Sequence, residues 1–277
     1  MSHERFYSRV NGPTLHQFDH VRWLDEVTPR HLAGGGDPRH VTEYLLASGW
    51  SNHSVPGYPH VLLESPDQQL HLTLEPQLDE HDAWWRIHPA EDRAWSAQFG
   101  GHTPVEIIAG FTDALNSTAP RPEETDLWRL AASRGWAMQL ASRERAALSP
   151  DETAYLSRVS SLVETPIWRW TVQVSIPLPD GRHRWIWNAS IDEAAPPAAL
   201  TGFVAALTDP EPLLRDEGQT PGLTFGFLDA HRSLVTPEQH RLRHLQRLKN
   251  AQRHGPLEQA PATPPPPQGP PRHRKRR

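Results

Sequence analysis

Trp95-Ser96-Ala97-Gln98-Phe99 is followed by Pro104 and then by Gly110-Phe111-x-x-Ala114-Leu115. At one constant offset, Trp187-Asn188-Ala189-Ser190-Ile191 is followed by Pro196 and then by Gly202-Phe203-x-x-Ala206-Leu207. Both stretches read W-x-A-x-Φ, then P, then G-F-x-x-A-L, with no gap. Self-similarity that keeps its order along the chain marks a repeated structural unit. Upstream, Gly49-Trp50 matches Gly135-Trp136, and Ser65-Pro66-Asp67 matches Ser149-Pro150-Asp151.

The periodicities assign elements to each copy. In the first, Asp37 is a good N-cap with Pro38 at the first helical position. Val41, Tyr44, Leu45 and Ser48 share a helical face, and Gly49 supplies the stop. Val61–Leu63 runs into the turn Ser65-Pro66-Asp67-Gln68. Leu70, Leu72 and Leu74 alternate with polar residues, the period of a half-buried strand. Trp85 and Ile87 mark a third strand, and Trp95, Ala97 and Phe99 a fourth. Thr103-Pro104-Val105-Glu106 reads as a capping box, opening a helix with the stripe Ile107, Ile108, Phe111, Ala114 and Leu115. In the second copy, Leu127, Leu130 and Ala131 give the first helix. Trp168, Trp170, Val172, Val174 and Ile176 form a hairpin with Trp185, Trp187, Ala189 and Ile191 across Pro179-Asp180-Gly181-Arg182. Leu200, Phe203, Ala206 and Leu207 lie on the closing helix, which Pro210 ends. Its start, Ala195-Pro196-Pro197-Ala198, lacks the capping box.

The expected fold class is therefore α+β: a tandem duplication of an α-β-β-β-β-α unit, an antiparallel sheet with helices on one face. The expected organisation is an N-terminal extension packing on the body (1–36), a first module (37–118), a second module (119–210), a connector (211–236), a basic helix (237–254) and a disordered Pro/Arg tail (255–277). The helix places Leu242, Leu245 and Leu248 among arginines, and Pro264–Pro267 cannot enter a packed core.

There is no cysteine, which excludes disulfides, thiolate nucleophiles and thiolate metal sites. No apolar run reaches the length of a membrane span and no signal-peptide pattern opens the chain, so a cytoplasmic protein without membrane contact is expected. Residues 237–277 hold ten Lys/Arg against two Asp/Glu, so the net charge of −5 leaves −13 on residues 1–236. An acidic body carries a basic tail.

The paired Ser-Pro-Asp motifs, each followed by a tryptophan-bearing strand and a proline-led closing helix, resemble the SPDY domain family of streptomycetes and their relatives, domain of unknown function 317. The resemblance rests on Ser65, Pro66, Asp67, Trp95, Thr103, Pro104 and Phe111 in the first copy, and on Ser149, Pro150, Asp151, Trp187, Pro196 and Phe203 in the second. Gln68 and Glu152 stand where the family's name places tyrosine. The resemblance implies an actinobacterial source, two copies of one fold unit and no assigned activity.

Competing chemistries are weighed by their motifs. Trp50, Trp84 and Trp95 recur as Trp136, Trp168 and Trp187; strand-phase tryptophan reads as core before it reads as a base-stacking platform. His240/His244 and His16/His20 have i, i+4 spacing but no third ligand, and neither pair is H-E-x-x-H. Gly34-Gly35-Gly36 is not a phosphate loop, because neither lysine follows a glycine. The Ser-Pro-Asp serines read as turn residues. No catalytic residue, metal ligand or cofactor is nominated, and the protein is not expected to be an enzyme. The leading expectation is an interaction or accessory protein with an unidentified protein partner. The alternative is sequence-independent nucleic-acid contact through Arg241, Arg243, Arg247, Lys249, Arg253, Arg272, Arg274, Lys275, Arg276 and Arg277.

Overall fold

The computed structural model describes residues 22–254 apart from 59, 80–81, 92–93, 116–122, 142–143, 161–167, 217–219, 221 and 236. The expected disordered tail, with Arg272, Arg274, Lys275, Arg276 and Arg277, and His16 and His20 lie outside the described residues.

Among the described residues, ten strands form one antiparallel sheet. They are β2 (Ser51–Asn52), β3 (Val61–Glu64), β4 (Leu70–Leu74), β5 (Ala83–Pro89), β6 (Ala97–Gly100), β7 (Ala137–Ala141), β8 (Glu144–Leu148), β9 (Ala154–Ser160), β10 (Trp168–Pro177) and β11 (His183–Asp192). Their order is β2-β3-β4-β5-β6-β11-β10-β9-β8-β7, so the two halves run outward from a β6–β11 seam. Each half has five strands, one more than the periodicity suggests. The additions, β2 and β7, are the two edges of the sheet, where no alternation of apolar residues announces a strand.

The seam pairs the two W-x-A-x-Φ stretches. Gln98 faces Ser190, with Ala97 opposite Ile191 and Phe99 opposite Ala189. Gln98 and Ser190 are equivalent positions of the two W-x-A-x-Φ motifs, so a local twofold axis passes between them. Four helices cover one face: α1 (Arg39–Ala47), α2 (Val105–Thr112), α3 (Glu124–Ser133) and α4 (Pro197–Thr208). The apolar faces of both halves merge into one hydrophobic cluster that includes Trp50, Trp85, Trp95, Phe99, Phe111, Trp128, Trp170, Trp187 and Phe203. The core is single and is not divided between two modules.

The helix starts differ from the expected pattern. Pro104 and Pro196 share one extended conformation (φ −55°, ψ 128° and φ −52°, ψ 128°), and no side chain caps either helix. The Glu106 carboxylate that a capping box would use turns instead to Arg215. A reciprocal capping box does form at α3, between Glu123 and Asp126. At α1, the Asp37 carboxylate accepts the Arg39 amide at 3.0 Å.

The segments expected as extension and connector build a second sheet. Strand β1 (Arg22–Thr28) lies between β12 (Leu213–Asp216) and β13 (Asp229–Val235), antiparallel to both. The 3-10 turn Arg30–Leu32 follows β1 and inserts toward the main core, where Leu32 is fully buried. Helix α5 (Pro237–His254) packs back on α1.

Candidate interaction surface

The two Ser-Pro-Asp motifs make the same turn. Gln68 and Glu152 sit in the left-handed region at φ 60° and 61°. The Ser65 hydroxyl accepts the Gln69 and Leu70 amides and donates to Asp67 at 2.6 Å. The Ser149 hydroxyl accepts the Ala154 amide at 2.9 Å. Both hydroxyls are committed to the backbone, which is the chemistry of a turn and not of a nucleophile. Pro66 and Pro150 lie beside Gly49 and Gly135, where the chain leaves α1 and α3 with positive φ.

The motifs diverge in what meets the aspartate. Asp151 is bound by Thr153 and, at 3.2 Å, by the buried ring of His31. Burial works against its charge, yet the His31 and Thr153 bonds hold the carboxyl well below its usual range. Trp187 donates its indole N–H to the His31 carbonyl at 2.7 Å, locking the 3-10 turn onto the second half. The remaining motif residues are packing positions. Trp95 meets Phe111 edge-on, Phe203 packs on Phe99, and Thr103 is fully buried.

Charged groups behind the helices are used for docking. Arg215, 2% exposed, donates to both Glu106 oxygens at 2.8 and 2.7 Å and to the Ala33 and Gly34 carbonyls. Burial opposes ionisation of Glu106, but the Arg215 charge and bonds keep its carboxyl below the ordinary value. Arg30 binds the Ala206 and Glu211 carbonyls and the Asp209 carboxylate. Nothing in the local pattern nominated Arg30, His31 or Arg215; only the second sheet brings them to the body.

The nominated basic residues separate. Arg247 faces inward, bidentate to Asp113 at 2.6 and 3.1 Å, bound to the His40 carbonyl, and stacked 4.1 Å over the Tyr44 ring. His244 bonds Glu43 at 2.5 Å. Arg243 and Lys249 are exposed; the side chains of His240, Arg241 and Arg253 lie outside the described residues. The leucine stripe packs only in part: Leu242 is 57% exposed and Leu245 39%, while Leu248 is half-buried. A cation stacked on tyrosine and paired with a half-buried carboxylate holds α5, and this requires Asp113 and Tyr44 from two other helices. An open groove of about 730 Å³ runs beside this contact, between Tyr44, Asp113, Leu242, Arg243, Gln246 and Asn250.

Among the described residues no helix covers the other face of the large sheet. Cross-strand register sets Leu62, Thr73, Arg86, Gln98, Ser190 and Thr171 in one row from β3 to β10, all exposed or half-buried. Farther along, Thr171 bonds Ser157 at 2.8 Å. Beside the row, Arg169 pairs with Asp192 at 2.6 Å, and Asp192 also accepts the Ser96 amide across the seam. Trp185 joins this face. Alternation would bury it with Trp187, but a β-bulge between Val174 and Ser175 sets it opposite Ser175 and leaves it 48% exposed.

Among the described residues no three histidine or acidic side chains are grouped as a metal would require, and no helix is long and apolar enough to cross a membrane. Residues 64–123 match the family model of the SPDY domain, a domain of unknown function. The match spans β4, β5, β6 and α2 and leaves out α1, β2 and nearly all of β3. No curated protein and no solved structure matches the chain.

Proposed function

We propose that this is a non-enzymatic interaction or accessory protein whose docking surface is the open face of the ten-stranded sheet. We further propose that its halves are tandem SPDY-type modules and that it works in the cytoplasm of an actinobacterium. The observation that carries the reading is the polar row from Thr73 to Thr171, which crosses the Gln98–Ser190 seam and therefore exists only when both halves are joined. Strands lie about 4.8 Å apart, so ten strands span roughly 43 Å, wide enough for a standard protein interface. Paired charges and amide side chains on a rigid sheet offer directional hydrogen bonds to a polar protein partner. The test places a photo-crosslinking amino acid at Gln98 or Gln173 of the full chain in an actinobacterial host. A discrete adduct is expected from both positions and none from Leu46 on α1; the reading fails if the open-face positions give none.

A second reading, nucleic-acid contact through the tail, is favoured by the outward exposure of Arg243 and Lys249 on α5. Labelled DNA and RNA would be titrated at low and moderate salt against the full chain. The comparison is a variant with Arg272, Arg274, Lys275, Arg276 and Arg277 replaced by glutamine. Binding that needs these residues and falls steeply with salt is the expected signature of counterion release. Equal behaviour of both chains removes this reading.

A further inference from the structure

The two edges of the large sheet are built differently. At β2, Ser51 and Asn52 pair and the His53 amide donates to the Leu62 carbonyl; the Asn52 side chain then accepts the Ser54 amide, and the Ser54 hydroxyl accepts the Leu62 amide. The chain turns away from the edge, and Pro56 follows. Short strands, bends and proline are the usual means of blunting an edge. At β7, five residues, Ala137-Met138-Gln139-Leu140-Ala141, pair with β8 along their full length. They include no charge, no proline and no glycine, and Ala137, Met138 and Gln139 are exposed. Among the described residues no strand pairs with the opposite side of β7, a row of backbone donors and acceptors with none of those protections.

The sequence of β7 is also close to a palindrome about Gln139. Antiparallel pairing of two such strands with Gln139 opposite itself sets Ala137 against Ala141 and Met138 against Leu140, like against like at every position. A foreign peptide places no such demand on β7, whereas a twofold dimer requires that each residue suit its own mirror position. A one-residue slip would turn the partner's side chains to the wrong face, so the register is specified. Neutrality matters as well, because each chain carries a net charge of −5 and a charged seam would add to the repulsion.

We infer that β7 is the seam of a symmetric dimer: a second copy of the chain adds its β7 antiparallel across a twofold axis at Gln139, joining two ten-stranded sheets into one. Helix α3 packs alongside β7 and β8, so the same axis brings the two α3 helices to one side of the seam. A five-residue ladder flanked by two helices is smaller than a standard interface, so the dimer forms at micromolar concentrations and dissociates on dilution. Extended across the axis, the open faces of two copies form one surface.

The absence of cysteine makes the test direct. Facing residues of an antiparallel pair have Cα atoms about 4.5–5.5 Å apart, within the range a disulfide spans. Full-length Gln139→Cys, mildly oxidised, is expected to become a covalent dimer, while Asn52→Cys on the opposite edge stays monomeric. Sedimentation of the unmodified chain is expected to rise from monomer to dimer with concentration. Met138→Lys combined with Gln139→Lys, checked for folding by circular dichroism, is expected to remain monomeric. The inference is overturned if the unmodified chain is monomeric at hundreds of micromolar, as it would be if an extended peptide were the true occupant. It is equally overturned if the lysine variant dimerises normally, or if Asn52→Cys cross-links as readily as Gln139→Cys.

Discussion

Gly110 and Gly202, equivalent positions of the two halves, meet backbone to backbone where α2 crosses α4. A Cβ built on Gly202 would lie 2.0 Å from the Gly110 carbonyl oxygen, and one on Gly110 would lie 2.5 Å from the Gly202 oxygen. Alanine favours an isolated helix by about 1 kcal/mol over glycine. Here the clash is with backbone, which cannot rotate away, and overpacking of this kind costs about 1–3 kcal/mol. Gly202→Ala is therefore expected to lower the urea midpoint, whereas Gly226→Ala, with nothing within 4 Å, is expected to leave it nearly unchanged. An unchanged midpoint for Gly202→Ala would mean the helices do not touch at this point.

Acid should destabilise the fold well above the carboxylate range. Burial, followed by the positive charge of Arg247, pushes His40 down to about 4 from an ordinary value near 6.5. The unfolded chain takes up this proton first, so stability falls as pH drops from about 6.5 toward about 4, by roughly 3 kcal/mol in all. Thermal melts across this window should show a slope that His40→Gln flattens. A slope identical in the variant would assign it to other groups.

Glu106 acts in a lower window. Its carboxyl lies below the ordinary value in the folded chain, so its stabilising contribution is present above the unfolded value near 4.3 and is lost as pH falls through the folded one. At neutral pH, Glu106→Gln leaves the buried Arg215 guanidinium without its counter-charge, a loss on the order of 3 kcal/mol. Chemical denaturation at pH 7 and pH 3 should show the gap between variant and parent shrink at the lower pH; a constant gap would contradict the ion-pair account.

Two buried tryptophans with different hydrogen bonding offer a paired comparison. Trp187 donates to the His31 carbonyl, while the Trp50 indole nitrogen has no hydrogen-bond partner among the described residues. Replacement by phenylalanine creates similar cavities, but only Trp187→Phe strands a buried acceptor, an added cost of about 1–3 kcal/mol. Denaturant melts should rank Trp187→Phe as the more damaging; equal losses would show that the indole bond contributes nothing.

Helix α5 should be the first part of the described chain to open. Arg247 alone supplies its bonds to Asp113 and His40 and its stacking on Tyr44. Arg247→Ala is expected to increase amide exchange across 237–254 while β10 and β11 stay protected, as hydrogen-exchange mass spectrometry would show. Unchanged exchange in α5 would mean that His244 and Ala251 suffice to hold it.

Much of the main sheet was legible in residue order, because alternation and helical spacing are local and act within a few neighbours. Leu70, Leu72 and Leu74 announce β4; Trp170, Val172 and Val174 announce β10; the W-x-A-x-Φ and G-F-x-x-A-L matches announce the resemblance of the halves. The alternation broke where the backbone gained a residue: one bulge turned Trp185 from the core to the open face. The edges β2 and β7 were silent because an edge strand need not bury alternate residues.

Residue order alone carried the α+β class, the likeness of the two W-x-A-x-Φ stretches and the packing role of most tryptophans, since each is recorded in the spacing of nearby residues. Long-range packing set Gln98 opposite Ser190, merged the halves into one core, and turned Glu106 to Arg215 in place of its own helix start. It also decided that β1 pairs with strands from the far end of the chain and that Arg247 points inward to Asp113. These contacts join residues whose separation along the chain leaves no periodic trace, and they form because a buried charge or an unpaired strand must find its partner wherever the fold places one.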